Sequence, residues 1–66
     1  MDITVNAKPH SLSEGTTLAD LIRELGLADA PCAAEVNQTL VPKRRHEQHP
    51  LSEGDVVELV TLVGGG

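Results

Sequence analysis

The fold is decided by residues 17–26, TLADLIRELG. Four apolar side chains in this stretch follow the i, i+3, i+4, i+7 spacing that places them on one face of a helix. They are Leu18, Leu21, Ile22 and Leu25. Thr17 is the expected N-cap, Asp20 completes a capping box, and Gly26 takes the C-terminal cap position, with Leu27 as its apolar contact. Because this helix has a single apolar face, it needs a sheet to cover that face.

The sequence on both sides of the helix predicts that sheet. Alternating or continuous apolar residues indicate five short strands. These are residues 3–5, 8–12, 33–37, 39–41 and 56–63. Asn6-Ala7-Lys8 and Asn37-Gln38 are predicted to form tight turns, because asparagine tolerates left-handed backbone geometry. Residues 43–50 are polar without clear periodicity and predict one loose turn of helix. The expected fold is α+β, a mixed four- to five-stranded sheet in the order β-β-α-β-β-β.

The last strand, residues 56–63, is apolar on both faces, which is typical of a central strand. No second helix is predicted to cover the face opposite the first. A bare apolar face is a candidate docking surface. The predicted docking residues are Val56, Glu58, Val60 and Leu62.

Composition narrows the classes of function. A chain of 66 residues has little room for an enclosed pocket, so a self-contained enzyme is disfavoured. The formal net charge of -5 and the absence of aromatic residues argue against nucleic-acid binding. A single cysteine, a start unlike a signal peptide and the lack of a long apolar run predict a cytoplasmic protein that does not enter membranes.

Three glycines follow the last strand directly. We expect residues 1–63 to form the domain and Gly64, Gly65 and Gly66 to form a flexible tail that can enter a narrow channel. A terminal carboxylate can attack the α-phosphate of ATP and become an acyl adenylate. The groups that stabilise phosphoryl charge would have to come from a partner enzyme, because no P-loop motif is present.

The other reactive side chains have plainer interpretations. Cys32 follows Pro31 in a predicted connection and is expected to be a small, half-buried filler. His10, His46 and His49 lack the spacing of a metal site and are expected to be solvated. The basic cluster Lys43-Arg44-Arg45-His46 is expected to be a solvated loop.

Taken together, these residues resemble the ThiS sulfur carriers, within the ubiquitin-like β-grasp family. The resemblance covers the whole chain and rests on a combination of short motifs. These are Asn6, residues 15–18 (GTTL), Leu21-Ile22, Val36-Asn37, Val41-Pro42, residues 54–58 (GDVVE) and residues 63–66 (VGGG).

The resemblance implies a carrier protein without a cofactor of its own. A ThiF-like adenylyltransferase, using ATP and Mg²⁺, would adenylate the carboxylate of Gly66. A persulfide derived from cysteine would convert the adenylate to a thiocarboxylate, and a ThiG-like thiazole synthase would use that sulfur for the thiazole ring of thiamine. Gly65 and Gly66 match the terminal pair of the family, and Gly64 is an additional glycine.

Three alternatives remain open at this point. The small subunit of molybdopterin synthase uses the same tail chemistry, although the short chain without aromatics favours the thiazole branch. A ubiquitin-like modifier would join Gly66 to lysines. An inert binding module would make no use of its tail.

Overall fold

The computed structural model describes residues 1–28 and 32–61, and these residues form five strands, one α-helix and one 3-10 helix. In chain order the elements are β1 (Asp2–Val5), β2 (Lys8–Ser11), α1 (Leu18–Glu24), β3 (Cys32–Val36), β4 (Thr39–Val41), the 3-10 helix (Lys43–Gln48) and β5 (Val56–Thr61). The order agrees with the predicted one.

The helix α1 is capped at both ends as its sequence predicts. The Thr17 hydroxyl accepts a hydrogen bond from the backbone N–H of Asp20, and the Asp20 carboxylate accepts one from the backbone N–H of Thr17. At the other end Gly26 has a φ of +75°. The N–H groups of Gly26 and Leu27 donate to the carbonyls of Arg23 and Ile22, which is the Schellman pattern.

The strands form one mixed sheet in the order β2-β1-β5-β3-β4. The strand β5 is therefore central, as its two apolar faces predict. It pairs in parallel with β1 and antiparallel with β3. The edges of the sheet are β2 and β4.

The core lies between one face of this sheet and α1. Leu18, Leu21 and Val57 are its largest fully buried side chains. Each contributes about 1.5–3 kcal/mol relative to an exposed position. The opposite face of the sheet, which we call the open face, carries the strand side chains that point away from α1. On the three strands β5, β3 and β4 these include Val56, Glu58, Val60, Glu35 and Leu40.

Candidate functional site

The side chains of β5 alternate between the core and the open face, and the three glycines follow this strand in the sequence. Val57 and Leu59 are buried against the core, whereas Val56, Glu58 and Val60 are exposed on the open face. The strand is described as far as Thr61. The predicted positions Leu62, Val63, Gly64, Gly65 and Gly66 lie outside the described residues.

Two asparagines hold the backbone of β5 from opposite sides. The Asn6 side chain donates from Nδ2 to the Leu59 carbonyl at 3.2 Å and accepts at Oδ1 from the Leu59 N–H at 2.8 Å. On the other side, Asn37 Oδ1 accepts from the Val56 N–H at 2.9 Å, and Asn37 Nδ2 donates to Asp55 Oδ1 at 3.0 Å.

From the sequence, both asparagines are predicted to lie in turns and belong to the motifs that resemble the ThiS family, but their bonds to β5 are not predicted. The available signal was that each asparagine begins a predicted tight turn between two strands. Their contacts with β5 are distant along the chain, with Asn6 and Leu59 separated by 53 positions. A side chain that bonds a strand so far away cannot be recognised from local spacing alone.

The open face carries every exposed large apolar side chain among the described residues. Leu40 is 63% exposed, Val56 47% and Val60 58%. Val56 and Val60 were predicted docking residues, and Leu40 was not. Leu40 belongs to this face because its neighbour Val41 points into the core.

Two acidic residues lie among these apolar side chains. Glu58 of β5 is the direct cross-strand partner of Glu35 in β3, and both are exposed. Glu35 is in turn the cross-strand partner of Leu40 in β4. Across β5, β3 and β4 the open face is therefore an apolar surface with a pair of carboxylates within it, whereas Asp2 and Thr4 make the β1 side of this face polar.

Cys32 was predicted to lie in a connection, but it is the first residue of β3. It is a strand residue because it continues the antiparallel pairing with β5, where its partner is Thr61. Its side chain is half-buried against the core, as expected of a filler. Burial raises the pKa of the Cys32 thiol, and the charge of Lys43 only partly offsets this. The thiol is therefore less reactive than a free cysteine.

The prediction for His46 is wrong, because this residue is buried and not solvated. The 3-10 helix turns the imidazole inward, and its Nε2 donates to the Val41 carbonyl at 2.9 Å. His10 and His49 are half-buried. The described residues contain no group of three or more His, Cys, Asp or Glu side chains that could hold a metal ion. None of their helices is long and apolar enough to cross a bilayer.

Comparison with known proteins identifies the family. The ThiS family model matches residues 3–66, which include the three glycines. The chain belongs to the ThiS family. It is 30% identical to the sulfur carrier protein ThiS of Escherichia coli over 66 residues, which is the full length of both chains.

A solved structure confirms the β-grasp fold of this ThiS family member. The thiamine biosynthesis protein ThiS of Geobacter metallireducens superimposes with a TM-score of 0.83 at 29% identity, with both chains fully covered. The chain is also 38% identical to a thiazole synthase of Magnetococcus marinus, but it spans only 20% of that protein.

Proposed function

We propose that this protein is a sulfur carrier in thiamine biosynthesis and that it carries sulfur as a thiocarboxylate at Gly66. Membership of the ThiS family supports the proposal, as does similarity to the E. coli sulfur carrier over the full length of both chains. In this role the protein is a co-substrate of larger enzymes and performs no catalysis of its own.

The observation that carries the proposal is the position of β5. This strand is paired on both sides, and the asparagine side chains fix its backbone further. From Thr61 the chain has five more residues to Gly66, a reach of at most about 18 Å when extended. A fixed strand whose chain ends in three residues without side chains suits a tail that enters an active site. We propose that Gly64 and Gly65 pass through the narrow part of that site.

The chemistry at Gly66 takes place in partner enzymes. A carboxylate oxygen attacks the α-phosphate of ATP, pyrophosphate leaves, and an acyl adenylate forms. The terminal sulfur of a cysteine-derived persulfide then attacks the acyl carbon and displaces AMP. A thiol cleaves the resulting S–S bond, which leaves a thiocarboxylate on Gly66 and a disulfide on the donor side. A ThiF-like adenylyltransferase would supply the Mg²⁺ and cationic groups that stabilise the phosphoryl charge.

The open face is the proposed docking surface for these enzymes. Its exposed residues Val56, Glu58 and Val60 lie on β5, and the tail follows this strand in the sequence, so an enzyme that contacts them is placed to receive Gly66. Leu62, the fourth predicted docking residue, lies outside the described residues and stays a prediction. We add Leu40 to this surface on the basis of its exposure.

The proposed consumer of the thiocarboxylate is a ThiG-like thiazole synthase. Two proteins named thiazole synthase, from Magnetococcus marinus and Paramagnetospirillum magneticum, contain a segment similar to this whole chain. A carrier and a synthase within one protein suggest that the two act on the same sulfur, which favours the thiazole branch over molybdopterin synthase.

Intact mass spectrometry tests the proposal directly. The full chain is incubated with the adenylating enzyme, MgATP, cysteine and a persulfide donor. We expect one oxygen to be replaced by one sulfur, and thiazole synthase to reverse that change as it forms product. Deletion of Gly65 and Gly66 should abolish the mass change and leave the circular dichroism spectrum intact.

The matched control is Gln48→Ala, a change at an exposed position in the 3-10 helix, which should accept sulfur normally. An unmodified wild-type chain, in the presence of an enzyme that demonstrably activates another carrier, would contradict the proposal. Transfer of the sulfur to a molybdopterin precursor and not to a thiazole would move the protein to the other branch.

A further inference from the structure

The open face contains two like charges in direct opposition. Glu35 of β3 and Glu58 of β5 are Cα partners in the antiparallel pairing. Directly opposed side chains on one face lie about 4.5–5.5 Å apart at Cβ, and like charges in such a pair destabilise the sheet. The pair therefore has a cost for the isolated protein, and folding does not explain its presence.

Within residues 1–28 and 32–61, no cation forms an ion pair with Glu35 or Glu58. All five Lys and Arg residues lie within residues 1–28 and 32–61. In that part of the chain only Arg23 and the amino group of Met1 form ion pairs, with Asp20, Glu47 and Glu14 as partners. The carboxylates of Glu35 and Glu58 are left to the solvent or to another molecule.

We propose that Glu35 and Glu58 together bind an arginine side chain on the enzyme that adenylates Gly66. The inference rests on the proposed function, since it specifies the chemistry of that enzyme's docking surface. A guanidinium has five N–H donors in a planar fork and can bridge two carboxylates, whereas a lysine ammonium is a compact point charge. The pair thus favours arginine.

The apolar side chains around the two carboxylates explain why an enzyme that binds this face needs a positive charge there. Leu40, Val56 and Val60 flank the two carboxylates on the same face. A protein that covers these side chains removes water from the carboxylates as well, and repulsion between them grows as the local dielectric constant falls. Two buried carboxylates without a counter-charge would oppose binding. The surface of the adenylating enzyme that covers the open face is therefore apolar, with an arginine at its centre.

The same charges argue against a second copy of this chain as the occupant. A two-fold interface places the same patch on both sides, so it would bring four carboxylates together. The formal net charge of -5 adds repulsion between copies. We expect the free protein to be monomeric in sedimentation experiments.

The test compares stability with recognition in the same variants. Glu35→Gln, Glu58→Gln and the double variant are examined by chemical unfolding and by steady-state adenylation with the partner enzyme, with the full chain as the varied substrate. The uncharged variants should be more stable than wild type, because the repulsion is gone. The KM of the double variant should rise roughly tenfold at low salt with little change in kcat, which corresponds to the loss of a charge-assisted contact.

Two further variants sharpen the result. Glu58→Lys creates an attractive pair with Glu35, so it should fold at least as stably as wild type yet raise KM more than the double variant does. Glu24→Gln removes an exposed carboxylate from α1, on the other side of the sheet, and should leave KM unchanged.

The outcomes separate this inference from the proposed function. If wild type is adenylated and the double variant has the wild-type KM at low salt, the recognition role is wrong and the carrier function stands. If Glu24→Gln raises KM as much as the double variant does, only net charge matters and the inference again fails. A wild-type dimer that dissociates on Glu58→Lys substitution would make a second copy the occupant. No adenylation of wild type by a proven enzyme would instead refute the carrier function.

Discussion

The first hairpin, β1 and β2, and the second hairpin, β3 and β4, flank β5 from opposite sides. Their turns are nearly identical. Asn6 and Ala7 have φ values of +50° and +70°, and Asn37 and Gln38 have +52° and +68°. Positive φ at both central residues is the signature of a type I′ turn, which matches the twist of the strands it joins.

The hairpins differ in how they attach to β5. The second hairpin pairs with it over five residues of β3, from Cys32 to Val36. The first hairpin pairs with it at only two positions, Thr4 and Val5, after which β1 ends. The side-chain amide of Asn6 then continues the ladder, because it forms hydrogen bonds with both the N–H and the carbonyl of Leu59. Asn6 thus bonds both backbone groups of Leu59 through its side chain alone, whereas Asn37 bonds Val56 through one side-chain and one backbone hydrogen bond.

Glycine substitutions at the two asparagines test this difference and should have the largest effects. Glycine keeps the positive φ and removes the side-chain hydrogen bonds. Asn6→Gly should lower the free energy of unfolding by about 2 kcal/mol, because the polar groups of the buried Leu59 lose their partners. Asn37→Gly should cost about 1 kcal/mol or less, because water can replace these exposed contacts. Denaturant unfolding measures both.

Hydrogen exchange provides the control for this comparison. The exchange rate of the Leu59 backbone N–H is compared in the two variants after correction for their different losses of global stability. On this scale the Leu59 N–H should exchange faster in Asn6→Gly than in Asn37→Gly. Equal stability losses in the two variants, or an unchanged Leu59 amide in Asn6→Gly, would remove the distinction between the hairpins.

Substitutions at the second turn position test what the hairpins share, and a smaller effect is expected. Ala7 and Gln38 are non-glycine residues with left-handed backbones. This conformation costs about 1–2 kcal/mol, and glycine offsets part of the gain through its larger entropy when unfolded. Ala7→Gly and Gln38→Gly should each raise the free energy of unfolding by about 0.5 kcal/mol.

The matched control for the turns is Ala33→Gly. Ala33 is exposed on β3 and is not among the residues with positive φ, so glycine there should lower stability. The shared turn geometry predicts equal gains at positions 7 and 38. A gain at one turn and a loss at the other would show that the two backbones are not equivalent.

Features with a local signal could be predicted from the sequence. The helix was predictable because its apolar spacing, Thr17 and Gly26 all point to the same element. The hairpins were predictable because Asn6 and Asn37 each begin a tight turn between strand-like segments, although the first turn is one residue shorter than predicted. The central place of β5 followed from its apolar residues on both faces. All three depend on residues that are near one another in the sequence.

Features that depend on register could not be predicted in this way. His46 is buried because the 3-10 helix brings its ring to the Val41 carbonyl, a contact that a polar stretch without periodicity does not reveal. The opposition of Glu35 and Glu58 depends on the pairing of β3 with β5. The order of the strands in the sheet could not be obtained from periodicity, because the pairing of β1 with β5 joins segments far apart in the chain.

The smallest expected effect concerns α1, which joins the two hairpins, and its response to acid. Hydrogen bonds from the Thr17 backbone, then from the Arg23 side chain, lower the pKa of Asp20 below its ordinary value of 3.8. A carboxyl whose pKa is lower in the folded state stabilises that state above the unfolded pKa, and the benefit is lost as pH falls through the folded pKa. Stability should therefore decline below about pH 4 in wild type, and less steeply in Asp20→Asn. Asn6→Gly should shift the whole stability curve and leave its slope in acid unchanged, because Asn6 does not titrate. The free energy of unfolding is measured between neutral pH and pH 2 for wild type and both variants. If it falls as steeply with pH in Asp20→Asn as in wild type, other carboxyl groups of the chain cause the loss of stability in acid.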